Sequence, residues 1–526
     1  MGDWSKIVKK LLADRAAKRG NIPDKPSLRI KQGILPLILL SMEAAFLCGN
    51  ETKRGPEMFQ RGGEIVIIGY LPASGCEGEA GTAYIRPVTK DMLIVLIAEK
   101  MSCSKFDGNK KEWVSCEPPD FLAKAYLAKP DGWTLPVLVG IIYCPTLRPD
   151  GTILDTYGYD PATGLYFMPT SGVEFLPVPE TPTKADAKAA LERLKIPFSE
   201  FPYTSEASRA VAIAAILTAL IRHLLRTAPL IIYTAPVAGS GKSMQADAPS
   251  LVTKGETCRN MAYTTDENET RKRILALLRE GCSIVNFDNV EDVFQGETIC
   301  SVLTSDYFKD RILGESKSGA YPTRVLWLAT GNNLVVKGDL TRRVIVCEID
   351  PKVERPEELH FTINFREYIL EHRAEIVRDA LTVLRAYHVA GKPNVGTKPF
   401  GSFEDWAHMV RDPLVWLGMD DPVSTREKIL RSDPERELLK DILGLWFDLF
   451  GTLPLTTAAL ITEARKKATL EETLSPICMD HAGGLNSRRL GRWLGKHEGR
   501  IVNGFKLVQG TDTQQKVSTW QVEPQK

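Results

Sequence analysis

The sequence predicts an α/β protein: a core built on a mainly parallel sheet, preceded by an α+β domain and followed by a helical region and a small basic domain. Three observations predict it. Between about 205 and 350, apolar strand-like runs alternate with helical periodicity, the pattern of strands buried on both faces. From about 60 to 170, short β-rich runs such as Glu64 to Gly69 and Leu135 to Tyr143 alternate with Gly, Pro and Asp turns. From 364 to 450, long amphipathic stretches such as Ala374 to Leu384 dominate. At 526 residues the chain exceeds one hydrophobic core, and roughly 150 residues per domain gives three or four of them. The 43% apolar and 25% charged residues exclude extended disorder, a collagen-like fibre and a coiled-coil rod. A net charge of +1, from 67 Lys/Arg and 66 Asp/Glu, excludes a polycationic coat and leaves charge to be read segment by segment.

Taken in order, residues 1–32 hold nine Lys/Arg against three Asp. They read as a basic N-terminal arm with a short helix ahead of Pro23 and Pro26, either solvated or touching DNA. Gly33 to Cys48 is the most apolar early stretch, but it contains Pro36 and Glu43 and falls short of the roughly 20 residues that span a bilayer. It is expected to be a buried helix, with no membrane partner. No apolar secretory segment opens the chain, and the ten cysteines form no C-x-x-C pair, which fits reduced thiols in a cytoplasmic protein. The α+β domain covers 33–200 and closes on the Pro-rich strap Leu176 to Pro182. The core is expected over 201–362, the helical domain over 363–452 and the small basic domain over 453–526.

Leu230 to Ser243 carries the first chemistry. An apolar strand runs into the small-residue loop Pro236, Val237, Ala238, Gly239, Ser240, and Gly241, Lys242 and Ser243 then open a helix. A phosphate-binding loop needs glycine so that successive N–H groups point at phosphate oxygens, a lysine for the β/γ-phosphates and a hydroxyl for Mg²⁺. Pro236 stands where the first glycine of the usual loop pattern falls. Ser283 to Asp288, 46 residues after Lys242, is a second apolar strand ending in an acid able to hold the Mg²⁺ shell. Asn289 follows, where a catalytic Glu is common; either Asn289 positions water, or Glu291 or Asp292 polarises it. A third strand, Arg324 to Thr330, leads to Gly331-Asn332-Asn333 and an amide placed to sense the γ-phosphate. Gly338 to Arg343 then carries paired arginines, and either Arg342 or Arg343 is a candidate finger offering fixed charge to a phosphoryl transition state.

These motifs together span only about 108 residues, and in order they resemble the AAA+ P-loop core of superfamily 3 helicases. The likeness is greatest to the replicative DNA helicase modules of phages, plasmids and integrative elements, often found beside a primase or polymerase. It extends through Pro145 to Gly151, Gly158 to Asp160, Glu354 to Glu357, Trp406 and Leu414 to Gly418, covering most of 60–450. The resemblance implies ATP and Mg²⁺ held by Lys242, Ser243 and Asp288, Asn332 as sensor, and Arg342 or Arg343 reaching a neighbouring subunit of a hexameric homo-oligomer. Asn289 departs from the paired acids of better-known viral members. The resemblance also implies a DNA-contacting hairpin ahead of the third strand. Tyr307 to Thr323 matches it, with Lys317 at the turn and Arg311 and Lys309 as alternates.

At the C-terminus Arg488, Arg492, Lys496 and Arg500 recur every four residues, and Leu490, Trp493, Leu494 and Ile501 lie mainly off that stripe. This reads as a basic recognition-type helix. Ile501 to Val508 and Val517 to Val522 then flank Gln509 to Lys516 as strands flank a wing, giving a winged helix for duplex DNA or a solvated capping face. No Asp-x-Asp pair with a companion His marks a primase site in the first 200 residues. The expected activity is ATP-dependent unwinding of duplex DNA, single-stranded and duplex DNA being the partners. The alternatives are a DNA-binding replication initiator or loader without processive unwinding, and a nucleotide-locked scaffold.

Overall fold

The computed structural model describes residues 25–31, 33–48, 56–70, 83–129, 132–170, 172–311, 318–431, 434–480, 483–512 and 517–525. The basic arm falls outside them except for 25–31.

Three small three-stranded sheets make up the N-terminal region. Ser27–Ile30 runs parallel to Ser102–Asp107, which pairs with Glu112–Ser115. Met58–Arg61, Glu64–Tyr70 and Ala83–Pro87 form an antiparallel meander. Gly158–Asp160, Leu165–Phe167 and Gly140–Ile142 form the third sheet. Helix Leu35–Cys48, drawn inward by Ile38, Met42 and Phe46, packs with helices Lys90–Lys100 and Asp120–Leu127 around Leu93, Ile97, Leu122 and Tyr126.

The central sheet is parallel throughout. Its elements are α1 (Glu206–Ile221), β1 (Leu230–Ala235), α2 (Lys242–Lys254), β2 (Arg259–Ala262), α3 (Glu267–Glu280), β3 (Ile284–Asp288), α4 (Glu297–Thr304), the hairpin β4 (Tyr307–Arg311) and β5 (Ser318–Pro322), β6 (Leu326–Asn332) and β7 (Val344–Glu348). The strand order is β2-β3-β6-β1-β7. Every residue of β1 is buried, as its unbroken apolar character requires. The helical run Glu206–Leu224, which begins with α1, is long and apolar enough to cross a membrane, and α1 is buried within this core against α2 and β7. The hairpin β4–β5 stands apart as its own two-stranded unit, in the register Tyr307↔Pro322 to Arg311↔Ser318.

Apolar packing runs across three of the boundaries expected from sequence. One continuous core takes in Cys144, Leu147, helix Lys184–Lys195, the whole central sheet, α5 (Arg373–Val389) and residues up to Ile429. Arg193 of the first helix donates two hydrogen bonds to Asp379 of α5, at 2.7 and 2.8 Å. A second core begins at Leu439 and holds α6 (Pro434–Phe450), β8 (Leu455–Thr456), α7 (Thr457–Ala464), α8 (Ala468–Cys478), α9 (Ser487–His497), β9 (Ile501–Val502), β10 (Phe505–Asp512) and β11 (Val517–Pro524). In packing, α6 therefore goes with the C-terminal unit, whose strands are ordered β8-β11-β10-β9. Cys103, Cys116, Cys144, Cys258, Cys282, Cys300, Cys347 and Cys478 are free thiols.

Candidate functional site

In an open parallel sheet, ligands are held outside the carboxyl ends of the strands. That edge is where the loop from β1 to α2 lies. Gly239 and Gly241 both have positive φ, +73° and +86°, which bends the loop back over the start of α2. Ser240 Oγ donates to the Val237 carbonyl at 2.7 Å, and Lys242 Nζ donates to the same carbonyl at 2.9 Å. Burial pushes the Lys242 ammonium pKa down. No side chain caps the first turn of α2, so its N–H groups and dipole stand open to an anion. Ser243 is exposed in that turn. Two residues that the motif does not name close around the loop. A Cβ at Gly239 would lie 2.9 Å from Glu357 Oε2, and one at Gly241 would lie 2.7 Å from the Phe201 ring.

Asp288 ends β3 on the same edge. Its Oδ1 accepts from Thr330 Oγ1 at 2.8 Å and from Asn286 Nδ2 at 3.4 Å. Asn286 is 1% exposed and bonded onward to the exposed Asn260, so the carboxylate is oriented by two buried side chains, Thr330 and Asn286, rather than left to solvent. Asn289 next to it has φ +49° and is exposed. Its N–H donates to Thr330 Oγ1 at 3.1 Å and its amide nitrogen to Glu291 Oε1 at 2.8 Å. Glu291 is thereby tied to Asn289, while Asp292 is simply exposed. Among the described residues no group of three or more His, Cys, Asp or Glu side chains could hold a metal. The oxygen donors of Ser243 and Asp288 instead suit a hard cation that keeps waters and phosphate oxygens as its other ligands.

Asn332, the last residue of β6, pairs in register with Ala235, the last residue of β1. The following residue makes the side-chain contact: Asn333, φ +44°, donates from Nδ2 to the Pro236 carbonyl at 3.4 Å, and its N–H donates to the Ala235 carbonyl at 2.9 Å. The loop, Lys242, Ser243, Asp288 and both asparagines therefore sit on one edge of the sheet.

The paired arginines do not. Arg343 immediately precedes β7, and its carbonyl accepts from Leu230 N–H at the opposite end of β1 from the loop. The six residues of β1 separate them, about 17 Å of strand. Arg342 and Arg343 also differ from one another. Asp339 accepts from both, from Arg343 Nη2 at 2.6 Å, but the Arg343 side chain is 12% exposed and also donates to the Cys300 carbonyl, whereas Arg342 is 55% exposed. The hydrogen bond from Arg342 is the leading cause holding the Asp339 carboxyl below its usual range.

The candidate DNA-contacting residues divide similarly. Arg311 is exposed at the end of β4, and Lys317 lies outside the described residues. On α9 the Asn486 side chain caps the N-terminus, and Leu490, Leu494 and His497 face the core. Arg488 and Arg492 are exposed and carry no ion pair among the described residues. Lys496 is committed: its Nζ pairs with Glu435 Oε1 at 2.9 Å, and the same oxygen meets His497 Nε2 at 2.9 Å. Lys496 and Arg500 line a cavity of about 820 Å³ together with Glu435, Lys337 and Asp339, where the C-terminal unit meets the core.

No family model matches the chain, and no curated protein matches it. Solved structures similar to it include the A-form apo C-terminal region of NrS-1, at 14% identity and a TM-score of 0.34, covering 82% of this chain and 99% of that one. They also include SCCmec type IV Cch, described as an active helicase, at 13% identity and a TM-score of 0.36, covering 87% and 93%. JCV helicase bound to a small molecule is similar at 14% identity and a TM-score of 0.21, covering 48% and 74%. Likenesses this loose assign no chemistry, which stands on the residues themselves.

Proposed function

We propose that the chain is an ATP-driven DNA helicase of the AAA+ superfamily 3 kind, acting as a ring of identical subunits, hexameric by family analogy, in replication of a phage, plasmid or integrative element. The observation that carries this is the gathering of Gly239, Gly241, Lys242, Ser243, Asp288 and Asn333 at the carboxyl edge of three strands, in the order β3-β6-β1. ATP would lie along the 236–241 loop and the open end of α2. Lys242 would leave the Val237 carbonyl for the β/γ-phosphates, and Ser243 and Asp288 would hold Mg²⁺, which supplies charge neutralisation at the phosphates. Thr330 and Asn286 keep the Asp288 carboxylate aimed. Asn332 or Asn333 would report on the γ-phosphate. Glu291, held by Asn289, would take a proton from attacking water, with Asp292 as the alternative. Arg342, exposed and separated from its own loop by the length of β1, would serve the loop of another subunit, which supports the ring reading. Single-stranded DNA would meet the β4–β5 hairpin, and duplex DNA the face of α9 bearing Arg488 and Arg492.

The test compares wild type with Lys242→Ala for ATP turnover, with and without single-stranded DNA, and for strand displacement on a forked duplex. The substitution removes the main cationic contact to the phosphates and is expected to cut turnover by ~100-fold or more and to abolish displacement. Near wild-type turnover in Lys242→Ala would overturn the nucleotide assignment. ATP turnover without displacement would favour a replication initiator or loader.

A further inference from the structure

The β4–β5 hairpin has two five-residue strands and no third strand partner among the described residues, and such a pair is marginally stable alone. Its direction must be set by what its base packs against. Much of that comes from the N-terminal region, more than two hundred residues earlier in the chain. Tyr321 of β5 is 1% exposed, and its hydroxyl donates to Glu64 Oε2 at 2.6 Å. Arg279 of α3 donates to the same carboxylate, Nε to Oε2 at 3.1 Å and Nη2 to Oε1 at 2.7 Å. Beside them the Arg61-Gly62-Gly63-Glu64 turn presses onto the ring. Gly62 has φ +58°, and a Cβ there would sit 2.4 Å from Tyr321 Cε1. Arg61, 6% exposed, fixes the turn from below, donating to the Val139 carbonyl at 2.6 Å and the Leu278 carbonyl at 2.9 Å. Arg271 of α3 pairs with Asp310 of β4 at 3.3 Å, joining the other strand to the same helix. Burial, and then the Glu64 carboxylate, push the Tyr321 phenol up, which keeps it a donor.

We infer that Glu64 and Tyr321 are positioning residues: the N-terminal turn braces the strands of the hairpin against α3 and sets how those strands are presented to the DNA. Resting on the helicase reading, this gives the N-terminal region a part in engaging DNA through a clamp of one carboxylate between a phenol and a guanidinium. Tyr321 and the Arg279 partner of Glu64 lie just ahead of the amino ends of β6 and β3, the edge opposite the 236–241 loop, so basal nucleotide chemistry should survive their loss.

The test uses full-length Glu64→Gln, Tyr321→Phe and the double variant. Each is assayed for basal ATP turnover, for the concentration of an oligo-dT single strand that half-saturates stimulated turnover, and for hydrogen exchange across 307–311 and 318–322. The expected result is unchanged basal turnover, a roughly five- to tenfold higher half-saturating concentration, and a double variant no worse than the worse single, since both break one contact. Exchange should quicken in the hairpin strands and not in the central sheet. Unchanged half-saturation in both single variants overturns the inference, as does basal turnover falling in step with stimulated turnover. A wild-type chain that DNA does not stimulate overturns the function reading instead, and unchanged hairpin exchange in Glu64→Gln then overturns the brace by itself.

Discussion

Arg342 and Arg343 are neighbours in sequence with opposite surroundings, and side-chain burial decides what each is able to do. Arg343 spends its guanidinium on Asp339 and the Cys300 carbonyl, in a largely enclosed place. Arg343→Ala would leave that carbonyl and half of Asp339 unpaired. It is expected to lower unfolding free energy by about 1–3 kcal/mol, seen as a reduced melting temperature. Arg342→Ala removes an exposed ion pair and should shift stability by no more than about 0.5 kcal/mol. If it is the finger, ATP turnover should fall by about 10³-fold in the assembled protein. A turnover loss confined to Arg343→Ala would reverse the assignment. The sequence offers both arginines but not the choice, because the two differ only in contacts made from distant parts of the chain. Asn332 and Asn333 teach the same lesson: the motif singles out Asn332, and the hydrogen bond to the loop comes from Asn333, turned there by its left-handed backbone.

At the scale of the element, α9 shows how far a charge pattern is legible. The four-residue spacing of its basic residues is plain in sequence, and the helix, its Asn486 cap and its buried Leu490 and Leu494 follow from it. Hidden in sequence is that Lys496 finds Glu435, some sixty residues upstream, while Arg488 and Arg492 stay open. Replacing Arg488 and Arg492 by Ala should therefore weaken duplex binding and flatten its log–log salt dependence by about 0.9 for each lost phosphate contact. Lys496→Ala should leave the slope alone, because its ammonium is already spent on the largely enclosed Glu435 carboxylate rather than open to phosphate. Anisotropy titrations from low to moderate salt separate the two, and a Lys496→Ala slope as shallow as that of the double variant would refute the division. The strands expected to flank a wing differ from the sequence reading in two places. Gln509 to Asp512, expected in the wing, continue β10, and 513–516 lie outside the described residues. Ile501 to Val508 reads as one strand, yet Asn503 and Gly504, with φ of +50° and +78°, make a two-residue turn that pairs Val502 with Phe505. The Asn-Gly signal for that hairpin was present in the sequence.

Over the whole molecule the alternation of strand and helix made the parallel sheet readable, while the limits of its packing were not, since a core closes through contacts between distant segments. The break between the two cores falls after Ile429 and before Leu439, so α6 packs Ile442, Leu443 and Trp446 against the C-terminal unit. A chain ended at 431 should stay soluble and monodisperse by size exclusion. One ended at 454 keeps α6 but strips away its apolar cover, and it should aggregate. Equal behaviour of the two would place α6 with the core instead. The separation of Arg342 from the 236–241 loop by the length of β1 has a further consequence of symmetry. If each chain lends an arginine from one end of its sheet and receives a neighbour's at the other, the contact joins unlike surfaces. It is therefore heterologous, and repeats around a closed circle or along an open helix rather than stopping at a two-fold pair. Every isolated chain is then half of two incomplete sites. Turnover per chain becomes a question of mass action, vanishing on dilution and climbing with protein concentration until the circle closes.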